Sequence, residues 1–173
     1  MPGTPLPDAE QLLQALTEKM RPDVGPETGL IGIHTGGVWL AERLHRALAL
    51  ATPYGSLDVS FYRDDYGKIG LHRDVKRSNI PFTVEGRPLI LVDDVLFTGR
   101  TIRAAMNELF DYGRPASIAL AALVDRGGRE LPIAAQWVGA VMNVAPDEVI
   151  ELKLDASGRL SLALTEDDTP DVA

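Results

Sequence analysis

The chain contains no cysteine. Disulfides, a thiol nucleophile and a cysteine metal site are therefore excluded, which fits a reducing compartment. No apolar run is long enough to cross a bilayer. The start, Met1-Pro2-Gly3-Thr4-Pro5-Leu6-Pro7, lacks the basic and apolar regions of a signal peptide. The expectation is a cytoplasmic protein that is not membrane-bound. Lysine is scarce, occurring only at Lys19, Lys68, Lys76 and Lys153. The formal net charge is −8 and the pI about 4.8, which weighs against broad, non-specific binding to nucleic acid. No internal repeat and no Gly/Ser-rich linker divides the 173 residues. One domain spanning 1–173 is expected, with 1–7 and the acidic tail 165–173 disordered.

What is present centres on one stretch, Pro88 to Thr101. Leu89 to Val92 is wholly apolar, as in a strand buried on both faces of a parallel sheet. Asp93 and Asp94 follow at the strand's carboxyl end. Thr98-Gly99-Arg100-Thr101 then opens a helix through Phe110. The free N–H groups and positive dipole end of such a helix favour a phosphate. Neighbouring carboxylates can accept hydrogen bonds from ribose hydroxyls.

The rest of the chain supplies a matching frame. A capped helix is expected from Ala9 to Met20 with Asp8 as cap. Gly29 to His34 reads as a buried strand, Thr35-Gly36-Gly37 as a turn, and Val38 to Leu50 as a helix. Ser56 to Tyr62 alternates like a strand. Arg63 to Asn79 is a long polar segment, read as a functional loop or a two-stranded ribbon. Further strands are expected at Ser117–Val124, Trp137–Met142, Glu148–Leu152 and Leu160–Leu164. Repeated strand-turn-helix units imply an α/β, doubly wound sheet, with ligands at the carboxyl ends of its strands. Thr35–Gly37, Asp93–Thr101 and Asp125–Arg129 all leave that rim.

Val92-Asp93-Asp94-Val95-Leu96-Phe97-Thr98-Gly99-Arg100-Thr101 resembles the motif of type I phosphoribosyltransferases that binds PRPP (5-phosphoribosyl 1-diphosphate). Gly32-Ile33-His34-Thr35-Gly36-Gly37, Phe61-Tyr62-Arg63-Asp64-Asp65, Gly113-Arg114-Pro115-Ala116 and Leu123-Val124-Asp125-Arg126-Gly127 narrow the likeness. So does Arg129-Glu130-Leu131-Pro132-Ile133. With them the chain resembles the PyrR family, pyrimidine operon regulators that are also uracil phosphoribosyltransferases.

The resemblance implies the type I phosphoribosyltransferase fold, a central parallel sheet flanked by helices, with a small hood and a mobile loop or β-ribbon. It implies uracil plus PRPP giving UMP and diphosphate. By position, Asp93 and Asp94 would bind the ribose hydroxyls as the catalytic pair. Val95, Leu96, Phe97, Thr98, Gly99, Arg100 and Thr101 would wrap the 5′-phosphate. Thr35, Gly36 and Gly37 match the diphosphate loop, where the superfamily often has a cis peptide. Tyr62, Arg63, Asp64, Lys76 and Arg77 belong to the mobile loop, Arg126 sits where the family contacts substrate, and Val141 and Met142 would face the base. Mg2+ is implied as a cofactor held chiefly through PRPP and diphosphate, with no protein metal ligands. A homodimer or higher homo-oligomer is implied, and an mRNA leader as a further partner. Several family members have a lysine and an arginine flanking the loop threonine; here those places are His34 and Gly36.

Taken without the family, Arg126 reads equally as a substrate contact and a structural ion pair. His34 reads as a rim residue, His45 as a surface residue, and Trp39 and Trp137 as packing residues. The alternative function is a UMP-dependent RNA-binding attenuator with weak catalysis, and a third reading is a phosphoribosyltransferase for another base.

Overall fold

The computed structural model describes residues 5–59 and 78–167. Helix α1 (Ala9–Met20) starts where Asp8 Oδ1 accepts the Glu10 N–H at 2.8 Å. It buries Leu13, Leu16 and Met20, a spacing that places them along one stripe. Strand β1 (Gly29–Ile33) is buried throughout and leads into helix α2 (Gly36–Ala47). Strands β2 (Gly55–Leu57) and β3 (Pro88–Leu96) follow, then helix α3 (Arg100–Leu109). Strands β4 (Ser117–Asp125), β5 (Trp137–Val141), β6 (Glu148–Leu154) and β7 (Leu160–Glu166) complete the chain.

Strands β1 to β5 form a parallel sheet in the order β2-β1-β3-β4-β5. Successive side chains of a strand point to opposite faces, so β3 feeds two cores. Leu89 and Leu91 pack with Ile102, Ala105 and Leu109 of α3. Ile90 and Val92 pack with Leu13, Leu16, Leu40 and Leu44 of α1 and α2. The antiparallel hairpin β6–β7 joins that second core through Ile150, Leu152 and Leu160. Its attachment is also polar: Glu10 accepts the Leu160 N–H at 2.8 Å and pairs with Arg43. Burial alone would raise the Glu10 carboxyl. The Leu160 N–H, the hydrogen bond from Arg43 and the charges of Arg43 and Arg159 outweigh burial and hold the carboxyl below its ordinary value.

Several boundaries differ from those read in the sequence. Strand β3 does not stop at Val92 but runs to Leu96, because β4 continues beside it as far as Asp125. Asp93 and Asp94 therefore lie within the strand. The expected turn at Thr35–Gly37 supplies the first residues of α2, which ends at Ala47 where Ala49 takes a left-handed φ of 52°. The strand expected over 56–62 is the shorter β2, and residues 60–62 lie outside the described part. Thr165 and Glu166, expected in a disordered tail, pair with Val149 and Glu148 in β7. His45 is not a plain surface residue, since its ring packs on Tyr54 at 5.7 Å.

Candidate active site

In the order β2-β1-β3-β4-β5 the chain leaves β1 to one side and returns on the other. The crevice at the carboxyl ends of β1 and β3 is thus the topological switch point, where open α/β sheets bind ligands. Its geometry follows from unequal strand lengths. β1 pairs with β3 only as far as Gly32 beside Val92. β3 goes on past it, so Asp93 and Asp94 border a gap that the start of α2 enters.

That entry depends on glycine. A Cβ on Gly37 would stand 2.3 Å from the Val92 carbonyl oxygen. One on Gly36 would stand 2.4 Å from Asp94 Oδ2. Both distances are far below van der Waals contact, so Gly37 lies against the strand backbone and Gly36 against the Asp94 side chain. An arginine at position 36 would put its Cβ against Asp94. Thr35 stays exposed at the N-cap of α2 without a side-chain capping bond, and the His34–Thr35 peptide is cis.

The carboxylates are not equivalent. Asp93 is 5% exposed and its Oδ1 accepts the Asp94 N–H at 3.0 Å. Asp94 is half-buried and its Oδ1 accepts the Val95 N–H at 2.9 Å. Two adjacent carboxylates, one buried and one half-buried, can hold hydroxyls and stabilise positive charge.

Beyond Leu96 the chain bends through Phe97, Thr98 and Gly99 into α3. Gly99 is the N-cap with φ 93°, and no acidic residue stands in the first helical turn. The first-turn N–H groups have no acceptor within the helix, and Thr98 Oγ takes the Arg100 N–H at 3.2 Å. Backbone donors with no acidic residue in the first helical turn suit an anion. Arg100 itself turns to Glu130, with Nε 2.6 Å from Oε2.

Leu96, Asp125 and Val141 lie side by side at the rim. Val141 is 72% exposed, while the Met142 N–H is already donated to the Asp125 carbonyl at 2.9 Å. Arg126 points its guanidinium at the start of β6 and the segment before it. Nη1 donates to the Glu148 carbonyl at 2.7 Å, Nη2 to Ala145 at 3.3 Å, and the group lies 4.1 Å over the Phe97 ring. These bonds favour the structural reading of Arg126. Tyr62, Arg63, Asp64, Lys76 and Arg77 lie outside the described residues. Among the described residues no group of three or more His, Asp or Glu converges as a metal site.

Sequence reasoning gave Arg129 no role of its own. It donates from Nη1 to the Phe97 carbonyl at 2.6 Å, from Nε to Ile133 at 2.8 Å and from Nη2 to Asp125 Oδ2 at 2.5 Å. The available signal was Gly127-Gly128 just before it. Both glycines are left-handed, φ 73° and 75°, and turn the loop back on itself.

The model of the phosphoribosyl transferase domain family matches residues 6–154. Bifunctional protein PyrR of Nitrosococcus oceani is 53% identical over 143 residues, 82% of this chain and 81% of its own length. Bifunctional protein PyrR of Pseudomonas savastanoi pv. phaseolicola is 49% identical over 163 residues, 92% of this chain and 94% of its own length. Among solved structures, a hypoxanthine-guanine phosphoribosyltransferase from Bacillus anthracis superposes with TM-score 0.64 at 22% identity, covering 84% of this chain and 86% of its own. At that identity the likeness speaks for the fold alone.

Proposed function

Because the chain belongs to the PyrR family of phosphoribosyl transferase domain proteins, we propose that it transfers the phosphoribosyl group of PRPP to uracil, giving UMP and diphosphate. The observation that carries this reading is the seating of the Gly36-Gly37 backbone against Val92 and Asp94. It joins a loop suited to a diphosphate, a carboxylate pair suited to a ribose and a helix-entry turn suited to a 5′-phosphate.

The chemistry suits those parts. N1 of uracil forms a bond to ribose C1, the C1–O bond breaks, and diphosphate leaves with the electron pair while the N1 proton is lost. Positive charge develops on the sugar as the leaving group departs. Asp93 and Asp94 hold the 2′- and 3′-hydroxyls and stabilise that charge, more strongly in a crevice emptied of water. The backbone of Thr35–Gly37 steadies the diphosphate. The Phe97–Thr101 turn, with the Thr98 and Thr101 hydroxyls, anchors the 5′-phosphate. Val141 is 72% and Phe97 43% exposed, and both offer apolar surface to a flat base. Mg2+ fits this donor set, with at most one or two carboxylates beside the ligand's own oxygens; bound, it would neutralise diphosphate charge. Uracil, hypoxanthine and adenine compared in one PRPP-dependent assay test the reading. UMP formation with uracil alone is expected, and turnover of a purine instead would overturn the base assignment.

That the relatives are named bifunctional proteins favours a second role. For this chain we propose binding of an RNA leader under the control of a uridine nucleotide. Its affinity should fall steeply with salt, and no binding at low salt would remove this role.

A further inference from the structure

Three successive carbonyls, at the last residue of β3 and the two that follow, accept hydrogen bonds from one segment, residues 126–131. Leu96 O accepts the Arg126 N–H at 3.0 Å. Phe97 O accepts from Arg129 Nη1 at 2.6 Å. Thr98 O accepts the N–H groups of Glu130 and Leu131 at 3.0 and 3.1 Å. In a trans peptide the carbonyl and the following N–H point in opposite directions, and His34–Thr35 is the one cis bond among the described residues. Holding these carbonyls against the 126–131 segment therefore aims the N–H groups of Phe97, Thr98 and Gly99 the other way, as an anion-binding concavity requires. A carbonyl turned inward would instead present negative charge to a phosphate.

The three peptides are not held alike. Those after Leu96 and Thr98 are fixed by backbone donors, which only a proline substitution removes. The one between Phe97 and Thr98 depends on a single side chain. Asp125 Oδ2 and the Ile133 carbonyl fix that guanidinium from two further sides. Phe97 is also confined, since a Cβ on Gly128 would lie 2.4 Å from its ring. The geometry points to Arg129 as a positioning residue: it touches no phosphate itself but orients the 97–98 peptide so that the Thr98 N–H serves the 5′-phosphate. This rests on the reading of the turn given under Proposed function.

Arg129→Gln removes the bridging guanidinium. The dissociation constant for ribose 5-phosphate should rise about tenfold, while that for inorganic diphosphate stays within about twofold. In turnover the KM for PRPP should rise by a similar factor, with the KM for uracil and kcat changing less. Arg129→Lys, which keeps a charged donor near Phe97 O, should recover part of the loss. Equal weakening of both ligands, or no weakening of ribose 5-phosphate, would overturn the proposal. If Arg129→Gln does not fold, Asp125→Asn replaces it. That variant keeps the guanidinium but loosens its anchor, so about a threefold loss selective for ribose 5-phosphate is expected, and no selectivity would count against Arg129. A wild-type protein that binds ribose 5-phosphate but makes no UMP would instead refute the uracil reading and leave Arg129 testable by binding.

Discussion

The loop after β1 reaches Asp94 because Gly36 and Gly37 carry no side chains, whereas the turn after β3 keeps its shape because residues 126–131 donate hydrogen bonds to it. Both flank one pair of carboxylates. The first is held by close packing, in which Gly36 meets the Asp94 side chain and Gly37 meets the backbone of a central strand that cannot yield. The second is held by directional bonds, which are lost one at a time and cost about 0.5–1.5 kcal/mol each when neutral, more when charged. Packing failures should therefore be all-or-none and affect folding. Clamp failures should be graded and affect ligand binding.

The sharpest way to break this contrast is Gly37→Ala. Its new Cβ meets the Val92 carbonyl in the middle of the sheet, and a loss of about 3 kcal/mol or more in denaturant unfolding is expected. An unchanged midpoint would mean that the β1–β3 crevice is not tightly closed. Next comes the pair itself. Asp93→Asn together with Asp94→Asn should lower the rate of UMP formation by about 100-fold, with stability changing far less than in Gly37→Ala. A wild-type rate would remove the ribose assignment.

Gly99→Ala probes the second loop. The residue has φ 93°, and its Cβ would lie 3.0 Å from the Ile133 side chain, which can shift. A cost of about 1–2 kcal/mol is expected from the left-handed backbone, less than at Gly37. A cost as large as that of Gly37→Ala would erase the distinction between the loops. The smallest effect belongs to a control far from the carboxylate pair in sequence. Glu10→Gln should cost about 1 kcal/mol through the lost partnership with Arg43. The folded Glu10 pKa is lowered from 4.5, so its contribution is present above the unfolded value and is lost as pH falls through the folded one. Unfolding of wild type and variant should thus converge under acid conditions; a gap that widens there would contradict the sign of the shift.

Much of the site was legible because it is local. The apolar run, the acidic pair, the hydroxyls and the glycine lie within Leu89–Thr101, and their roles follow from order along one strand, one turn and one helix. The end of β3 was not legible, because it depends on how far β4 runs beside it. The start of α2 was misjudged for a similar reason. Gly-Gly commonly marks a turn, and only contact with Val92 and Asp94 explains glycines in the first helical turn. With the arginines, the family resemblance pointed to Arg126. The consecutive left-handed glycines 127 and 128 decide that Arg129 reaches Phe97 while Arg126 turns to Glu148.

By itself the sequence determined the elements that need only near neighbours: the buried parallel strands, the capped first helix, the donor-rich entry to α3 and the adjacent carboxylates. Tertiary structure alone decided which backbone approaches which. That choice rests on contacts between segments far apart in the chain, where a missing Cβ at position 37 or a guanidinium at position 129 acts only once the sheet has brought its partner within reach.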